Sequence, residues 1–173
     1  GILFVGSSSI LMWDFQKHFP DFKTRGRGFG GSKIWELPVL YPELVSPHKP
    51  DHLVIYTCEN DLSKGRSFDD ILSDWRSFYT RVRKELPQTE LYFLAVKQSP
   101  RRAYMLDKIV AFNRVLKAEL ENTPQVTFID GDTPLLDKNG EVDPSMFRDG
   151  LHLNDKGYRI WTQLIREAMK KNG

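Results

Sequence analysis

Short apolar runs recur along this chain at Ile2 to Val5, Leu53 to Tyr56, Leu91 to Val96 and Val126 to Ile129, and no other feature constrains the fold as much. Each run is too short for a helix, and their Val, Ile, Phe and Tyr content suits strands buried on both faces. Phe22 to Phe29, broken by glycines and arginines, falls between the first two in order and is taken as a second strand. Between the runs the period changes. Ser67 and Asp70 have capping-box spacing, and Ile71, Leu72, Trp75, Phe78, Tyr79, Val82 and Leu86 follow at helical intervals. Leu106, Ile109, Val110, Leu116 and Leu120 mark another helix and Ile160, Trp161, Leu164, Ile165 and Ala168 the last, with two more expected after Ser9 and Ser32. Strands alternating with helices are joined most simply by right-handed crossovers. The expected class is therefore α/β, a three-layer α/β/α sandwich around a mostly parallel five-stranded sheet.

At 173 residues and 40% hydrophobic content the chain can bury one sizeable core, so a single domain spanning residues 1–173 is expected. Lys and Arg number 25 against 23 Asp and Glu, a net charge of +2 with no concentrated basic stretch, which implies no nucleic acid or other polyanionic partner. The single cysteine, Cys58, excludes an intramolecular disulfide framework and a Cys-rich zinc site. No apolar run reaches about 18 residues, so no membrane span is expected. A strand-like run already begins at Ile2, leaving no signal peptide to read. A start so close to the first element is compatible with trimming, and cytoplasmic, periplasmic and secreted settings all stay open.

In an open parallel sheet, ligands bind beyond the carboxyl ends of the strands. The first strand runs into Gly6, Ser7, Ser8 and Ser9, the second into Gly28, Phe29, Gly30, Gly31 and Ser32, the third into Cys58, Glu59, Asn60 and Asp61. The fourth leads to Lys97, Gln98, Ser99, Pro100, Arg101 and Arg102, and Asp149 and His152 lie just before the last helix. A serine nucleophile needs a base within hydrogen-bond reach, and a carboxylate that fixes the base's tautomer improves it. His152 and Asp149 can supply both, with Gly150 permitting the bend between them. Backbone N–H groups near Ser8 and Gly31 and the Asn60 amide can supply an oxyanion hole.

In these blocks the chain resembles the SGNH hydrolases, also called the GDSL lipase and acylhydrolase family, over nearly its whole length. The first block is Phe4, Val5, Gly6, Ser7, Ser8, and the resemblance places the nucleophile on Ser8, with Ser7 where the family usually has Asp. It places the second block's glycine on Gly31, the oxyanion asparagine on Asn60 in the sequence Cys58, Glu59, Asn60, Asp61, and the DxxH block on Asp149 to His152. Phe29, Gly30 and Gly31 followed by Ile34, Trp35 and Leu37 are similar to the platelet-activating-factor acetylhydrolase branch. The resemblance implies a flavodoxin-like fold and hydrolysis of acyl esters, often acetyl esters of lipids or sugars, without cofactor or metal. The implied partner is a small-molecule ester; acyl length, alcohol moiety and oligomeric state are not legible. Cys58 stands where the family usually has Gly, and a positive φ there would strain a side chain by roughly 1–3 kcal/mol.

Plainer readings compete at each position. The serines could cap the next helix, and Asn60 and Asp61 could stabilise turns. Cys58 reads as a small buried hydrophobe rather than a nucleophile paired with His152. Trp13, Trp35, Met146 and Phe147 are candidates for the wall of an acyl pocket or for ordinary core. Lys97, Arg101 and Arg102 could draw an anionic substrate group, or simply be solvated. Gly26, Gly28 and Gly31 spell GxGxxG, the dinucleotide fingerprint, so the alternative from another class is a non-hydrolytic flavodoxin-like module that binds a nucleotide or carbohydrate.

Overall fold

The computed structural model describes residues 1–172. Strands β1 (Ile2–Gly6), β2 (Thr24–Gly28), β3 (His52–Tyr56), β4 (Glu90–Leu94) and β5 (Val126–Ile129) form one sheet in the order β2-β1-β3-β4-β5. All four neighbouring pairs are parallel, so the sheet is wholly rather than mostly parallel. Such a sheet needs cover on both faces. The cover comes from α1 (Ser8–Leu11), α2 (Phe15–His18), α3 (Glu36–Val39), α4 (Tyr41–Leu44), α5 (Glu59–Ser63), α6 (Phe68–Glu85), α7 (Leu106–Glu121) and α8 (Asp155–Asn172).

Alternation along the strands divides the core in two. Leu3, Val5, Leu53, Ile55, Leu91 and Phe93 pack with α3, α4, α6 and α7. On the opposite face Ile2, Phe4, Val54, Tyr56, Tyr92 and Leu94 pack against Trp13, Phe19, Tyr158, Trp161 and Ile165. The helix at Phe68 begins as its sequence suggested: the Asp70 N–H donates to Ser67 Oγ at 3.1 Å. The helices expected after Ser9 and Ser32 are each broken into two four-residue pieces. In the first pair the Asp14 side chain accepts from Lys17 N–H and starts α2 anew. In the second, Pro42 has no N–H to give the Pro38 carbonyl, so the ladder of α3 stops, and Pro42 suits the first turn of α4.

The GxGxxG pattern has a packing explanation. Gly26 and Gly28 lie within β2, not at a strand-to-helix turn. A Cβ on Gly26 would sit 2.7 Å from the Phe15 ring, and one on Gly28 would sit 2.5 Å from the Leu11 backbone nitrogen. These glycines let α1 and α2 lie directly on the edge strand. The chain leaves β1 for β2 on one side and passes to β3 on the other, which opens a crevice at the carboxyl ends of β1 and β3.

Candidate active site

Ser8 opens α1 at that crevice, and its Oγ lies 3.0 Å from His152 Nε2. His152 Nδ1 is 2.6 Å from Asp149 Oδ2, while Asp149 Oδ1 accepts from the N–H groups of Leu151 at 2.9 Å and His152 at 2.7 Å. Desolvation alone would raise the Asp149 carboxyl, but the His152 N–H, the imidazole and the Leu151 N–H outweigh it and hold it well below the usual carboxylate range. An ionised carboxylate only accepts, so Nδ1 carries the ring hydrogen and Nε2 is left to accept from the Ser8 hydroxyl. Gly150 sits at φ +82°, the left-handed turn that brings Asp149 back onto its own imidazole. The neighbouring serines are buried, Ser7 3% and Ser9 2% exposed, and among the described residues only the Ser8 hydroxyl bonds to His152.

The loop holding His152 is pinned from below. Arg148 N–H donates to the His152 carbonyl, Asn154 N–H to that of Met146, and Phe147 bridges Leu153. Met146 and Phe147, expected as candidate pocket walls, are buried with Trp13 in the core under α8 and anchor this loop. Trp35 is 43% exposed. Arg101 is tied to the same loop by its N–H on the Gly150 carbonyl, and a Cβ on Gly150 would lie 3.1 Å from Arg101 Cγ.

Three donors on the loops after β1, β2 and β3 have hydrogens to spare. Among the described residues, the N–H groups of Ser8 and Gly31 have no acceptor. The Asn60 amide spends one Nδ2 hydrogen on the Ser32 carbonyl at 3.0 Å and keeps the other. Asp61 holds the two loops in register, its carboxylate accepting from Ile34 N–H at 3.0 Å and from Arg66 at 2.9 Å. Cys58 sits at φ +85° and is fully buried, and that burial pushes its thiol well up. A protonated thiol is a poor nucleophile.

Lys97 corrects its sequence reading. It is neither solvated nor turned toward a substrate; it is 1% exposed and pairs with Glu59 at 2.9 Å. Glu59 was not singled out in the sequence at all, although an acid beside Asn60 and a lysine directly after the apolar Ala95 and Val96 were the available signal. Arg102, not Arg101, is the loop arginine that reaches Asn60, with Nη2 3.5 Å from Oδ1. Among the described residues no three His, Cys, Asp or Glu side chains gather as a metal ligand set, and no helix is long and apolar enough to cross a membrane.

A solved structure from Streptococcus pneumonia, provisionally assigned as a platelet activating factor, superimposes with a TM-score of 0.89 at 22% identity, over 97% of this chain and 83% of that one. A GDSL-like lipase from Bacteroides thetaiotaomicron gives 0.84 at 21% identity, over 99% and 88%. An acetylxylan esterase from Geobacillus stearothermophilus gives 0.76 at 17% identity, over 96% and 92%. At these identities the likeness is one of fold. No curated protein matches the chain in sequence. Residues 8–160, from the Ser8 turn into α8, match the GDSL-like Lipase/Acylhydrolase family model, and the chain belongs to that family of serine ester hydrolases.

Proposed function

We propose that Ser8, His152 and Asp149 hydrolyse short-chain acyl esters, with the N–H groups of Ser8 and Gly31 and the Asn60 amide holding the oxyanion. The observation that carries the reading is the unbroken relay from Ser8 Oγ to His152 Nε2 at 3.0 Å and from Nδ1 to Asp149 at 2.6 Å. Ser8 Oγ bonds to the carbonyl carbon as its proton passes to Nε2, and Asp149 stabilises the imidazolium. The tetrahedral oxyanion collapses, the C–O bond to the alcohol breaks, and the leaving oxygen takes the proton from Nε2. A water then repeats the sequence on the acyl-Ser8 ester and releases the acid.

A short acyl group, acetyl foremost, is favoured because Trp13, Met146 and Phe147 are spent on the core and are not free to wall a long apolar slot. The acetylxylan esterase and the platelet-activating-factor likeness name two alcohol classes, sugar and lipid. Trp35, expected at an acyl pocket, and Arg101, expected near an anionic substrate group, are both exposed and stay as candidate substrate contacts. The single domain spanning residues 1–173 belongs to the same proposal. A fluorophosphonate should form one covalent adduct, mapped by mass spectrometry to Ser8, and should abolish hydrolysis of an acetyl ester. Labelling at Ser7 or Ser9 would sink the assignment, and faster turnover of long acyl chains than of acetyl would sink the substrate reading.

A further inference from the structure

Behind Asn60 lie three charged side chains with no task in the reaction above. Glu59 and Lys97 have side chains only 6% and 1% exposed, and Arg102 is 18% exposed. Both oxygens of the Glu59 carboxylate are occupied. Oε2 accepts from Lys97 Nζ at 2.9 Å and from the Tyr56 hydroxyl at 2.9 Å, and Oε1 accepts from Arg102 Nε at 3.2 Å. Burial by itself would raise the Glu59 carboxyl, yet Lys97, Tyr56 and Arg102 together keep it below its ordinary value. Stability does not explain the arrangement, because well-packed apolar groups can replace a buried ion pair at no loss and often with gain.

Arg102 is the member that reaches the site. Its three guanidinium nitrogens address three different acceptors: Nε the Glu59 carboxylate, Nη1 the Tyr104 hydroxyl at 2.9 Å, and Nη2 the Asn60 Oδ1 at 3.5 Å. Lys97 fixes Glu59, Glu59 fixes the guanidinium plane, and the guanidinium takes the oxygen edge of the Asn60 amide. The nitrogen edge is taken by the Ser32 carbonyl at 3.0 Å. A flipped amide would set Oδ1 against the Ser32 carbonyl oxygen and leave Nδ2 facing a cation, both repulsive. The positive charge on Oδ1 also polarises the amide and strengthens its remaining N–H as a donor.

We propose that Arg102, held in place by Glu59 and Lys97, is a positioning residue that locks the Asn60 amide with its N–H edge toward the developing oxyanion. This rests on the oxyanion role given to Asn60 above. A lysine at 102 keeps the charge but cannot span three acceptors.

The test is a double-mutant cycle on acetyl ester hydrolysis, with kcat expressed per active site titrated by fluorophosphonate. Asn60→Ala should lower kcat by about 100- to 1000-fold. Arg102→Lys should lower kcat by about 10- to 100-fold with KM within about twofold, as expected when a transition-state donor is misplaced. In the Asn60→Ala background the same Arg102→Lys change should alter kcat by less than about threefold. Arg102→Gln, run in parallel, is held to the same pattern, so poor folding of one variant does not decide the question. Full activity in Arg102→Lys, or an equal proportional loss with and without Asn60, would overturn the positioning role. Unchanged kcat in Asn60→Ala alone would instead refute the oxyanion role of Asn60, and the two failures are thereby told apart.

Discussion

At Cys58 the backbone turns at φ +85°, a region where a side chain costs roughly 1–2 kcal/mol. The thiol is retained at this strained position fully buried in the core that α6 and α7 help to form. Packing therefore offsets conformational strain. At an ordinary position Ala is more stable than Gly by roughly 0.5–1 kcal/mol. At residue 58 the order should invert: Cys58→Gly should denature at a higher urea concentration than Cys58→Ala, by about 1 kcal/mol in unfolding free energy. Cys58→Ala proving the more stable would show that this turn carries no strain.

The nucleophile is placed by a contact between elements, the single turn of α1 lying on the edge strand β2. Gly28 makes that contact close enough, since a Cβ there would meet Leu11 N at 2.5 Å, the Ser7 carbonyl at 2.6 Å and Ile10 Cβ at 2.7 Å. Two of these are backbone atoms that cannot swing aside, so Gly28→Ala must shift α1 and Ser8 with it. Stability should fall by about 1–3 kcal/mol, and acetyl ester turnover should fall further than the loss of folded protein explains. Gly30 has open space around it, and Gly30→Ala should stay within about 0.5 kcal/mol of the parent. Thermal melts and titrated kcat values check both, and a Gly28→Ala protein with parental kcat would mean that α1 does not depend on this contact.

Taken whole, the molecule keeps a buried ion pair where its two cores meet the site, and its acid stability should report that pair. The folded-state pKa of Glu59 lies below its unfolded value of roughly 4.3, so the ionised carboxylate stabilises the fold above that pH. The contribution drains away as pH falls through the folded value. Glu59→Gln leaves Lys97 buried without its counter-charge and should be about 3 kcal/mol less stable than the parent at pH 7. That gap should narrow as pH falls through the folded-state pKa of Glu59, because the parent's own carboxylate is then protonated. Melting temperatures followed from pH 7 down to the acid unfolding limit give the comparison, and a gap that stays constant throughout would show that ionised Glu59 is not what Lys97 holds.

Legibility in the sequence followed the range of the interaction. Short continuous apolar runs and period-3.6 patterns are local properties of the chain, so the five strands, the Ser67-capped helix and the layered sheet could be read directly. The blocks at Ser8, Gly31 and Asn60 could be read because each lies just past a strand, and parallel strands deliver their carboxyl ends to one edge, whereas Asp149 and His152 lie just before α8. Broken helices at Met12 and Leu40, the burial of Met146 and Phe147, and the pairing of Lys97 with Glu59 could not. Lys97 and Glu59 are 38 residues apart and His152 and Ser8 are 144 apart. Which of Ser7, Ser8 and Ser9 meets the imidazole depends on the angle at which α1 leaves β1. That angle comes from its packing on Gly28, which lies on the neighbouring strand and is distant from the serines only in sequence. The sequence by itself determined the α/β class, the catalytic edge and the residues available there. The family resemblance pointed to Ser8, but only the tertiary structure sets its hydroxyl against His152 and the charges behind Asn60, because both contacts depend on long-range packing with no local signature.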